Sequence, residues 1–450
     1  MVRLLVLLAV WNGIAAWATA YARYHVVDLS DLAAGSTIIP SVGYGINDAG
    51  MITGHGQPTA DGSTSKVFFY NPAAGIFTNA GNLAGNFVEG NGGNGYSINQ
   101  QGVIVGRNSI SNTSWLYRPF LFYDANGNGI ADSGEMQNLG PEADFTSGVA
   151  NDINDSNQVV AYSTDTNSAT VGWVWTDRDH DLQYDEGEKQ YFSGMTPMSI
   201  NNSGQIVLTG SGQSFLWNDP DGDGVYLESD KQTLPVPATY QSISSTLINE
   251  HGGISGSVRN INSKTNGLYW EDTNQDGVVD AEEYTLFGAA MTNTFVRTMN
   301  NHGQLAGGTL DYGSQRVAYI WTKEQGMVNL NDVAAYTHAT LGPASFSQAE
   351  AINNQGVIVS TGWFDINHDG KKGSSDPEHV FVLIPISSGD IDMDGSVDLD
   401  DFELLSAQFG RVDCSSGNAF CDGADITQNG TVNLDDFTPI VEDWLITPIF

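Results

Sequence analysis

A chain of 450 residues, 40% of them hydrophobic, can bury one large core or several small ones, which corresponds to two or three domains of ordinary size. Its 53 acidic residues against 16 basic ones give a net charge of -37, which would repel nucleic acid and anionic membrane surfaces. Many of the acidic residues fall in short loops rich in Asp, Asn and Gly. The charge therefore indicates cation sites rather than a disordered acidic tail.

The N-terminus has the three parts of a secretory signal peptide. Met1-Val2-Arg3 carries the positive charge, residues 4–11 are apolar, and small residues follow up to Ala18-Thr19-Ala20. A transmembrane anchor is the alternative, but the apolar segment is short for a span and Asn12-Gly13 interrupts it. We therefore expect residues 1–20 to be a signal peptide, and the remaining chain to be secreted and extracellular or attached to a cell surface, with no membrane span after cleavage.

A nine-residue pattern, Ile-Asn-Gln-Gln-Gly-Val-Ile-Val-Gly at residues 98–106, recurs through most of the chain. It predicts a strand, a tight turn and a second strand, repeated at a period of about fifty residues. Seven repeats are therefore expected. Their copies of the pattern begin at Ile46, Ile98, Ile153, Ile200, Ile248, Met299 and Ile352.

Each period holds four apolar segments, which we call strands a to d. In the second repeat they are residues 95–99, 103–107, 119–123 and 136–139. Strand c is a continuous apolar and aromatic run, such as Phe120-Leu121-Phe122-Tyr123, which is typical of a strand buried on both faces. No amphipathic run of helical length is found. We predict four-stranded antiparallel sheets that pack face to face around a ring, as in a β-propeller.

The two ends of this region are expected to meet in one sheet. The last repeat has no fourth strand after Val380–Leu383, while the opening stretch Tyr24–Leu29 resembles strand d elsewhere, such as Met327–Leu330. An N-terminal strand d would leave no open sheet edge. The predicted fold class is all-β, a seven-bladed β-propeller over residues 21–386 that is closed by the N-terminal strand, followed by a small α-helical domain at residues 387–450.

Residues 24–386 resemble the extracellular HAF-repeat proteins, whose units carry an Ile-Asn-x-x-Gly-x-x-x-Gly hairpin, an aromatic strand and a Leu-Gly ending. The His-Ala-Phe tripeptide itself is absent, and Arg118-Pro119-Phe120 and Val317-Ala318-Tyr319 take its place. The resemblance implies the repeat fold and brings no activity with it.

Acidic loops are predicted at one fixed place inside five repeats. Residues 124–135 fill every ligand position of a twelve-residue EF-hand calcium loop, in which side chains at positions 1, 3 and 5, a carbonyl at 7 and a final carboxylate coordinate the ion. The alternative is that Asp, Asn and Gly merely form turns; the in-phase recurrence argues against it. The predicted Ca²⁺ ligands in the repeats are Asp124, Asn126, Asn128, Asp132, Glu135, Asp177, Asp179, Asp181, Asp185, Glu188, Asp219, Asp221, Asp223, Asp230, Asp272, Asn274, Asp276, Asp280, Glu283, Asp365, Asn367, Asp369 and Asp376.

These loops depart from the pattern at a few positions. Leu182 replaces the turn glycine, and Leu227 and Gly373 stand where a position-9 ligand is expected. We therefore expect calcium affinity to vary among the loops. Since strands flank them, the expected role is to staple hairpins, and calcium loss would leave carboxylates that repel one another.

The pattern changes after Pro385 to two loop-helix halves. A helix is predicted over Phe402–Phe409, and Val441, Trp444 and Leu445 mark a second one. The predicted Ca²⁺ ligands here are Asp390, Asp392, Asp394, Asp398, Asp401, Asp425, Asn429, Asn433 and Asp436.

Residues 389–446 resemble a type I dockerin, a resemblance that implies calcium-dependent docking to a cohesin-like or cell-surface protein. Thr427 departs from the usual Asp or Asn of that family. A calcium-stabilised terminal domain without a cohesin partner is the alternative. Cys414 and Cys421, seven apart in an exported chain, predict a disulfide rather than a metal site.

Three functions are compatible with these features, and a non-enzymatic glycan- or protein-binding propeller ranks first. Its predicted binding surface is the face opposite the calcium loops, although packing between sheets is the alternative for its side chains. Those side chains are Phe87, Trp115, Tyr117, Arg118, Phe145, Tyr240, Phe295 and Phe346. A structural cell-surface protein ranks second.

A polysaccharide-degrading enzyme, a glycoside hydrolase or lyase, ranks third. Such chemistry requires two carboxylates across a cleft, and Glu89, Glu142 and Glu350, which lie outside the loops, form no paired motif. The sequence also has no nucleophile elbow, no His-Glu-x-x-His zinc motif and no phosphate loop.

Overall fold

The computed structural model describes residues 23–59, 65–81, 83, 92–109, 116–140, 145–183, 185, 187–219, 225–274, 279–280, 283–291, 293–310, 316–392, 397–415, 418–427, 429–442 and 444. The predicted signal peptide at residues 1–20 lies outside them. The chain divides into two compact units, the first containing Val26–Ile384 and the second containing Pro385–Pro448. In the part of the chain that is described, no helix has the length and apolar character needed to cross a membrane.

Strands make up nearly all of the regular structure of the first unit, which confirms the predicted all-β class. Two four-residue helices accompany them, α1 (Leu29–Leu32) and α2 (Leu330–Val333), with a short 3-10 turn at Glu228–Asp230. The strands are β1 (Arg23–Asp28), β2 (Ile38–Ile46), β3 (Ile52–Pro58), β4 (Lys66–Asn71), β5 (Ile76–Gly81), β6 (Gly93–Ile98), β7 (Ile104–Ser109), β8 (Tyr117–Phe122), β9 (Met136–Asn138), β10 (Phe145–Ile153), β11 (Gln158–Asp165), β12 (Thr170–Thr176), β13 (Lys189–Ser193), β14 (Thr196–Ile200), β15 (Ile206–Gly210), β16 (Gln213–Trp217), β17 (Lys231–Thr233), β18 (Tyr240–Ile248), β19 (Ile254–Asn260), β20 (Thr265–Trp270), β21 (Tyr284–Phe287), β22 (Asn293–Met299), β23 (Leu305–Leu310), β24 (Arg316–Thr322), β25 (Gly326–Asn329), β26 (Thr337–His338), β27 (Gly342–Ile352), β28 (Ile358–Phe364) and β29 (Glu378–Ile386).

Antiparallel pairing joins these strands into four-stranded groups in the predicted order a-b-c-d. Four sheets are separate: β2-β3-β4-β5, β6-β7-β8-β9, β10-β11-β12-β13 and β14-β15-β16-β17. The groups β18 to β21 and β22 to β25 form one larger sheet, because β20 and β22 pair in parallel at Thr265 and Asn293. The last sheet has the order β1-β29-β28-β27-β26, so the N-terminal strand is hydrogen-bonded beside the last strand of the repeats.

Strand c is buried on both faces, as its apolar run predicts. Phe120, Leu121 and Phe122 are almost fully buried, and so are Trp173 and Trp175 in the next sheet. Burying each of these side chains contributes roughly 1.5–3 kcal/mol. The aromatic runs are therefore the packing between neighbouring sheets rather than a ligand surface.

The Ile-Asn-x-x-Gly pattern encodes a turn between strands a and b that holds itself together. In the second repeat Asn99 Oδ1 accepts hydrogen bonds from the backbone N–H groups of Gln101 and Val103, at 3.1 and 2.9 Å. Gly102 has φ +85°, in the left-handed region that glycine adopts without strain. In the third repeat Asn157 occupies this position at φ +58°, because asparagine tolerates that region better than other residues do.

The same asparagine also joins each turn to the next sheet. Asn99 Nδ2 donates to the backbone carbonyl of Asn154 at 3.2 Å. The bond from Asn353 Nδ2 to the Asn47 carbonyl, at 3.1 Å, spans 306 residues of sequence. The complete series of donor side chains and acceptor carbonyls runs Asn47 to Asn99, Asn99 to Asn154, Asn154 to Asn201, Asn201 to Asn249, Asn249 to Asn300, Asn300 to Asn353 and Asn353 to Asn47.

The N-terminal strand is held in the last sheet by side chains as well as by backbone pairing. Asp28 Oδ1 caps α1, and its Oδ2 accepts a hydrogen bond from His379 Nδ1 on β29 at 2.8 Å. This bond with Asp28 raises the pKa of His379 against the lowering effect of burial. His338 Nε2 lies 3.0 Å from Asp31 Oδ2 in the same cluster. Two histidines thus face two aspartates where the ends of the unit meet.

The acidic loop of the last repeat does not lie where the repeat pattern placed it. Residues 365–376 connect β28 to β29, which are strands b and c, whereas the other four loops connect strands c and d. The reason is that strand d of this sheet is β1, so the chain has no c-d connection there. Because successive connections of an antiparallel sheet alternate between its ends, this loop lies at the opposite end from the other four. The predicted binding face is therefore not free of acidic loops.

The described part of the second unit contains three short helical segments: α3 (Leu399–Gln408), α4 (Ala419–Asp422), whose backbone turns left-handed at Phe420 and Cys421, and α5 (Phe437–Glu442). Helix α3 begins three residues before the predicted Phe402, because Asp398 is its N-cap and forms a capping box with Asp401. The predicted disulfide between Cys414 and Cys421 is present. Both cysteines lie in the small core of this unit, with Ile391, Val397, Leu405, Ala424, Val432 and Ile440.

Candidate metal centres

The loop at residues 124–135 has the backbone geometry of a loop folded around its own carboxylates. Asp124, at position 1, accepts hydrogen bonds from the N–H groups of Asn128 and Gly129, at 3.2 and 2.9 Å. Glu135, at position 12, accepts from Ala125 and Asp132, at 3.1 and 2.8 Å. The loop N–H groups thereby hold the carboxylates of positions 1 and 12 inside the loop.

The same pattern recurs in the other loops. Glu188 accepts from the N–H groups of positions 2 and 9, Arg178 and Asp185, both at 3.1 Å. Position 9 also donates to the last carboxylate in the remaining loops for which these bonds are described, as follows: Asp280 to Glu283, Gly373 to Asp376, Asp398 to Asp401 and Asn433 to Asp436. With the loop at residues 124–135, six loops have this bond from position 9. In five of the six, the backbone N–H of position 2 or 3 also donates to the last carboxylate.

The first and last carboxylates of most loops are buried, which is unusual for acidic side chains. Burying an ionised carboxylate is costly unless an opposite charge or a metal ion compensates it. Among the described ion pairs none involves Asp177, Glu188, Asp401, Asp425 or Asp436. The buried carboxylates at these two positions are Glu135, Asp177, Glu188, Asp219, Asp376, Asp390, Asp401, Asp425 and Asp436.

Asp376 provides the sharpest test of whether a cation fits. Its side chain is 6% exposed, and its Oδ2 accepts a hydrogen bond from the Gly373 N–H at 2.6 Å. Its Oδ1 is buried and has no hydrogen-bond partner. An orphaned carboxylate oxygen costs about 1–3 kcal/mol or more, which a coordinated cation would remove. The residues present therefore fit a metal ion with oxygen ligands.

Carboxylates repel one another in the loop of the third repeat. Burial raises the pKa of Asp177, and the neighbouring Glu188 raises it further. Burial and the charges of Asp179, Asp181 and Glu188 raise the pKa of Asp185. Carboxylate oxygens of Asp177, Asp179 and Glu188 lie within 4.8 Å of one another, as do those of Asp179, Asp181 and Asp185. A divalent cation would relieve this repulsion.

The second repeat balances its loop differently. Asn126 Nδ2 and Asn128 Nδ2 donate to Asp132 Oδ2 at 2.8 and 2.9 Å, and these bonds lower the pKa of Asp132. The amides thus replace charges that the third repeat carries as carboxylates. In the second unit, oxygens of Asp390, Asp392 and Asp401 also lie within 4.8 Å of one another. Four predicted ligands, Asp221, Asp223, Asp276 and Asp394, lie outside the described residues.

Three of the acidic loops also contact the sheet that precedes them, a role that sequence reasoning missed. Thr78 Oγ1 on β5 donates to the Gly129 carbonyl at 2.9 Å. Gln190 on β13 bonds the backbone of Tyr226 in both directions, and Gln232 Nε2 on β17 donates to the Val279 carbonyl at 3.3 Å. Position 8 is buried in each of these loops, by Ala131, Tyr226 and Val279. The apolar residue at this position is the sequence signal of the contact.

The predicted binding face is only partly a surface. Phe346 is buried in the core, and Tyr117 packs under the Arg107 guanidinium, 4.4 Å from its carbon atom to the ring centroid. Phe145 stacks on Tyr191 with a centroid distance of 6.3 Å. Arg118 donates to the backbone carbonyls of Tyr117 and Thr146, and the Tyr240 hydroxyl to Asn266 Oδ1. Phe87 and Trp115 lie outside the described residues.

No protein-family model and no curated protein matches this chain. Among solved structures it is similar to prolyl oligopeptidase B from Galerina marginata, with 9% identity over 75% of this chain and 47% of that one, and a TM-score of 0.44. It is also similar to the calcium-binding protein regucalcin from Agrobacterium tumefaciens, with 10% identity over 60% of this chain and 83% of that one, and a TM-score of 0.35. The chain thus spans about half the length of the first of these, at 47%. The functional argument rests on this chain's own residues.

Proposed function

We propose that this chain is a secreted, calcium-stabilised binding protein without catalytic activity. It consists of a seven-bladed propeller of the HAF-repeat type, which binds a glycan or a protein, and a dockerin-like module that attaches it to a cohesin-like or cell-surface protein. Buried carboxylates at the first and last positions of the acidic loops, including the orphaned Asp376 Oδ1, carry the proposal. Calcium is the cation of choice because every ligand side chain offers oxygen and the loop spacing is that of the EF-hand.

The ring of bonds between repeats supports the propeller. Each turn asparagine is bonded to the next turn, and Asn353 is bonded to Asn47. The pairing of β1 with β29 supplies the fourth strand that the last repeat lacks. A ring latched by its two ends has no sheet edge open to aggregation, which suits a protein exported from the cell.

The surface of the second unit supports docking. Phe402 on α3 and Phe437 on α5 contact each other edge to face, with centroids 5.6 Å apart, and Phe402 remains 40% exposed. Exposed apolar side chains clustered on a small domain mark interaction surfaces. The exposed large apolar residues of this unit are Leu399, Phe402, Leu404, Phe409, Val412, Leu434, Val441 and Trp444.

Calcium titration of the purified protein tests the proposal. Isothermal titration calorimetry should find several calcium sites, and a chelator should lower the melting temperatures of both units. Glu188→Gln should weaken one site at least tenfold, since it removes a chelating charge. Asp401→Asn should abolish calcium-dependent capture by a cohesin panel, whereas Asp400→Asn, next to it but exposed, should not. A melting profile that a chelator leaves unchanged would refute the calcium assignment.

A further inference from the structure

A cavity of about 320 Å³ lies among the turns between strands a and b, and residues from all seven repeats line it. The exposed side chains of Gln100 and Asn202 belong to its wall, so the cavity reaches solvent at the end of the sheets where these turns lie. The Ile-Asn pairs of the repeat pattern contribute to its wall, and no further sequence motif marks it. It is separate from the acidic loops, whose ligands do not line it.

The wall of this cavity varies where the rest of the repeat is constant. The Ile-Asn pair that builds the turn is almost invariant among the repeats, yet the residue two places before it differs nearly every time. In six repeats this residue lines the cavity: Tyr44, Tyr96, Asn151, Met198, Arg297 and Glu350. A cavity that held only solvent would not require an aromatic, an amide, a cationic and an anionic side chain at equivalent positions of its wall.

The charged and aromatic members of this set lie together on one side. Arg297 Nε is 3.7 Å from Glu350 Oε2, with the Arg297 side chain 49% exposed and that of Glu350 only 9% exposed. Burial raises the pKa of Glu350, and burial together with the Glu350 charge raises the pKa of Tyr44 to about 12. The rings of Tyr44 and Tyr96 are tilted by 54° with centroids 5.3 Å apart. One ion pair and two phenol rings therefore form a continuous polar and aromatic wall.

Asp152 shows what a purely structural acid looks like in the same cavity. Its carboxylate accepts hydrogen bonds from the hydroxyls of Ser97 and Ser199, both at 2.7 Å, and from the N–H groups of Ile153 and Ile200, both at 3.0 Å. It joins three repeats and has little capacity left for a ligand. Arg297 differs, because Glu350 is its one ion-pair partner among the residues described and the contact is long. Its guanidinium retains donors for another molecule.

We propose that this cavity binds a single neutral sugar ring, such as the end of a glycan chain. The Arg297 and Glu350 side chains, the wall amides and the Tyr44 hydroxyl can bond the hydroxyls of a sugar, and the Tyr44 and Tyr96 rings on the same wall can pack against its C–H groups. Ligand pockets range from about 300 to 1,000 Å³, so a cavity at the lower limit accepts one ring rather than an oligosaccharide. The inference rests on the glycan-binding form of the proposed function and names its site.

Charge decides against acidic sugars. The wall contains one basic side chain, Arg297, against the acidic side chains Asp48, Asp152, Asp155, Glu250 and Glu350. Its potential is therefore negative, and an additional carboxylate on the ligand would be repelled. Neutral hexoses and N-acetylhexosamines fit this potential, whereas glucuronate does not.

Saturation-transfer NMR and calorimetry on the full chain, with calcium present, test the proposal. The probes are glucose, galactose, mannose, N-acetylglucosamine and glucuronate. We expect at least one neutral sugar to bind and glucuronate not to bind. Tyr44→Phe should weaken the neutral sugar about tenfold, the effect of one buried hydrogen bond. Tyr191→Phe, on β13 away from the cavity, is the matched control and should leave affinity unchanged.

Glu350→Gln gives a readout that a structural role would not produce. Removal of this charge releases Arg297, so the affinity for glucuronate should rise at least tenfold above the detection limit set with the unaltered protein, equivalent to about 1.4 kcal/mol. Melting curves with calcium establish that each variant is folded. Absence of binding by every sugar at millimolar concentration would overturn the inference. Sugar binding that survives Tyr44→Phe and Glu350→Gln but is lost in Tyr240→Ala would overturn this site and leave the proposed glycan-binding function standing.

Discussion

Replacement of Asn201 by alanine tests whether the turn asparagines hold neighbouring sheets together. Asn201 is 1% exposed. Its Nδ2 donates to Gln205 Oε1 at 2.8 Å and across the seam to the Asn249 carbonyl at 3.0 Å. Its Oδ1 accepts from the N–H groups of Ser203 and Gln205 at 3.2 and 3.0 Å. Alanine would remove four hydrogen bonds and leave the carbonyl of the buried Asn249 without this donor.

The expected cost follows from these bonds. At about 1 kcal/mol for each neutral hydrogen bond, Asn201→Ala should lower the free energy of unfolding by about 3–4 kcal/mol. The first unit spans Val26–Ile384. With about 2.1 cal/mol/K of unfolding entropy per residue, this cost lowers its melting temperature by about 4–5 °C.

The adjacent residue provides a matched control. Asn202 bonds the turn of the preceding repeat, on the other side from Asn249, since its Oδ1 accepts from the Asp155 N–H at 2.7 Å and its Nδ2 donates to Asp155 Oδ2 at 2.8 Å. Because Asn202 is exposed, water replaces these bonds, and Asn202→Ala should shift the melting temperature by about 1 °C or less. Differential scanning calorimetry at saturating calcium compares the two. Equal shifts, or a negligible shift for Asn201→Ala, would refute the structural role of the buried amide.

Three further predictions concern single contacts. Because Asp28 raises the pKa of His379, their contact should stabilise the first unit fully below about pH 6.5 and lose this effect as pH rises through the raised pKa. His379→Gln should abolish that part of the pH dependence of the melting temperature. An unaltered profile would contradict the prediction. Asn157 has φ +58°, and its Oδ1 accepts a hydrogen bond from Asn99 Nδ2 at 2.9 Å, which both Asn157→Gly and Asn157→Ala would remove. Asn157→Ala should therefore cost about 1–2 kcal/mol more than Asn157→Gly in thermal melting, and the reverse order would contradict the strain argument. Cys414→Ser with Cys421→Ser should cost the second unit about 2–3 kcal/mol in denaturant unfolding without affecting the first unit.

Most of the repeat architecture could be predicted from periodicity alone. Periodicity predicts the four strands of the second repeat at residues 95–99, 103–107, 119–123 and 136–139. The strands of the structure are Gly93–Ile98, Ile104–Ser109, Tyr117–Phe122 and Met136–Asn138. This worked because the buried strands and turn glycines recur at one spacing. Periodicity failed for the loop at residues 365–376, since the same twelve-residue spacing can occupy either end of a sheet. Only the strand order determines the end.

The cavity escaped prediction for a related reason. A repeat identifies the positions that every copy must share, such as the asparagine that bonds the next turn. Tyr44, Arg297 and Glu350 occupy the same position in their repeats but differ in residue type, so a search for the repeated pattern does not detect them. Tyr44 and Glu350 are separated by some three hundred residues of sequence and become neighbours only through contacts such as Asn353 with Asn47. The positions that do not repeat are consequently the first to examine for a ligand.

The acidic loops and the turn asparagines join the same pairs of neighbouring sheets. A metal ion in such a loop would therefore have a role beyond its own hairpin. Residues 124–135 bond Thr78, and the loop containing Tyr226 bonds Gln190, each on the outer strand of the preceding sheet. The turn asparagines bond the same pairs of sheets at strand a. Neighbouring sheets of these pairs are therefore hydrogen-bonded to each other both near strand a and at strand d of the preceding sheet. A cation that orders the acidic loop would also fix this outer contact, so the proposed calcium would stabilise the association of neighbouring sheets as well as the loop that coordinates it.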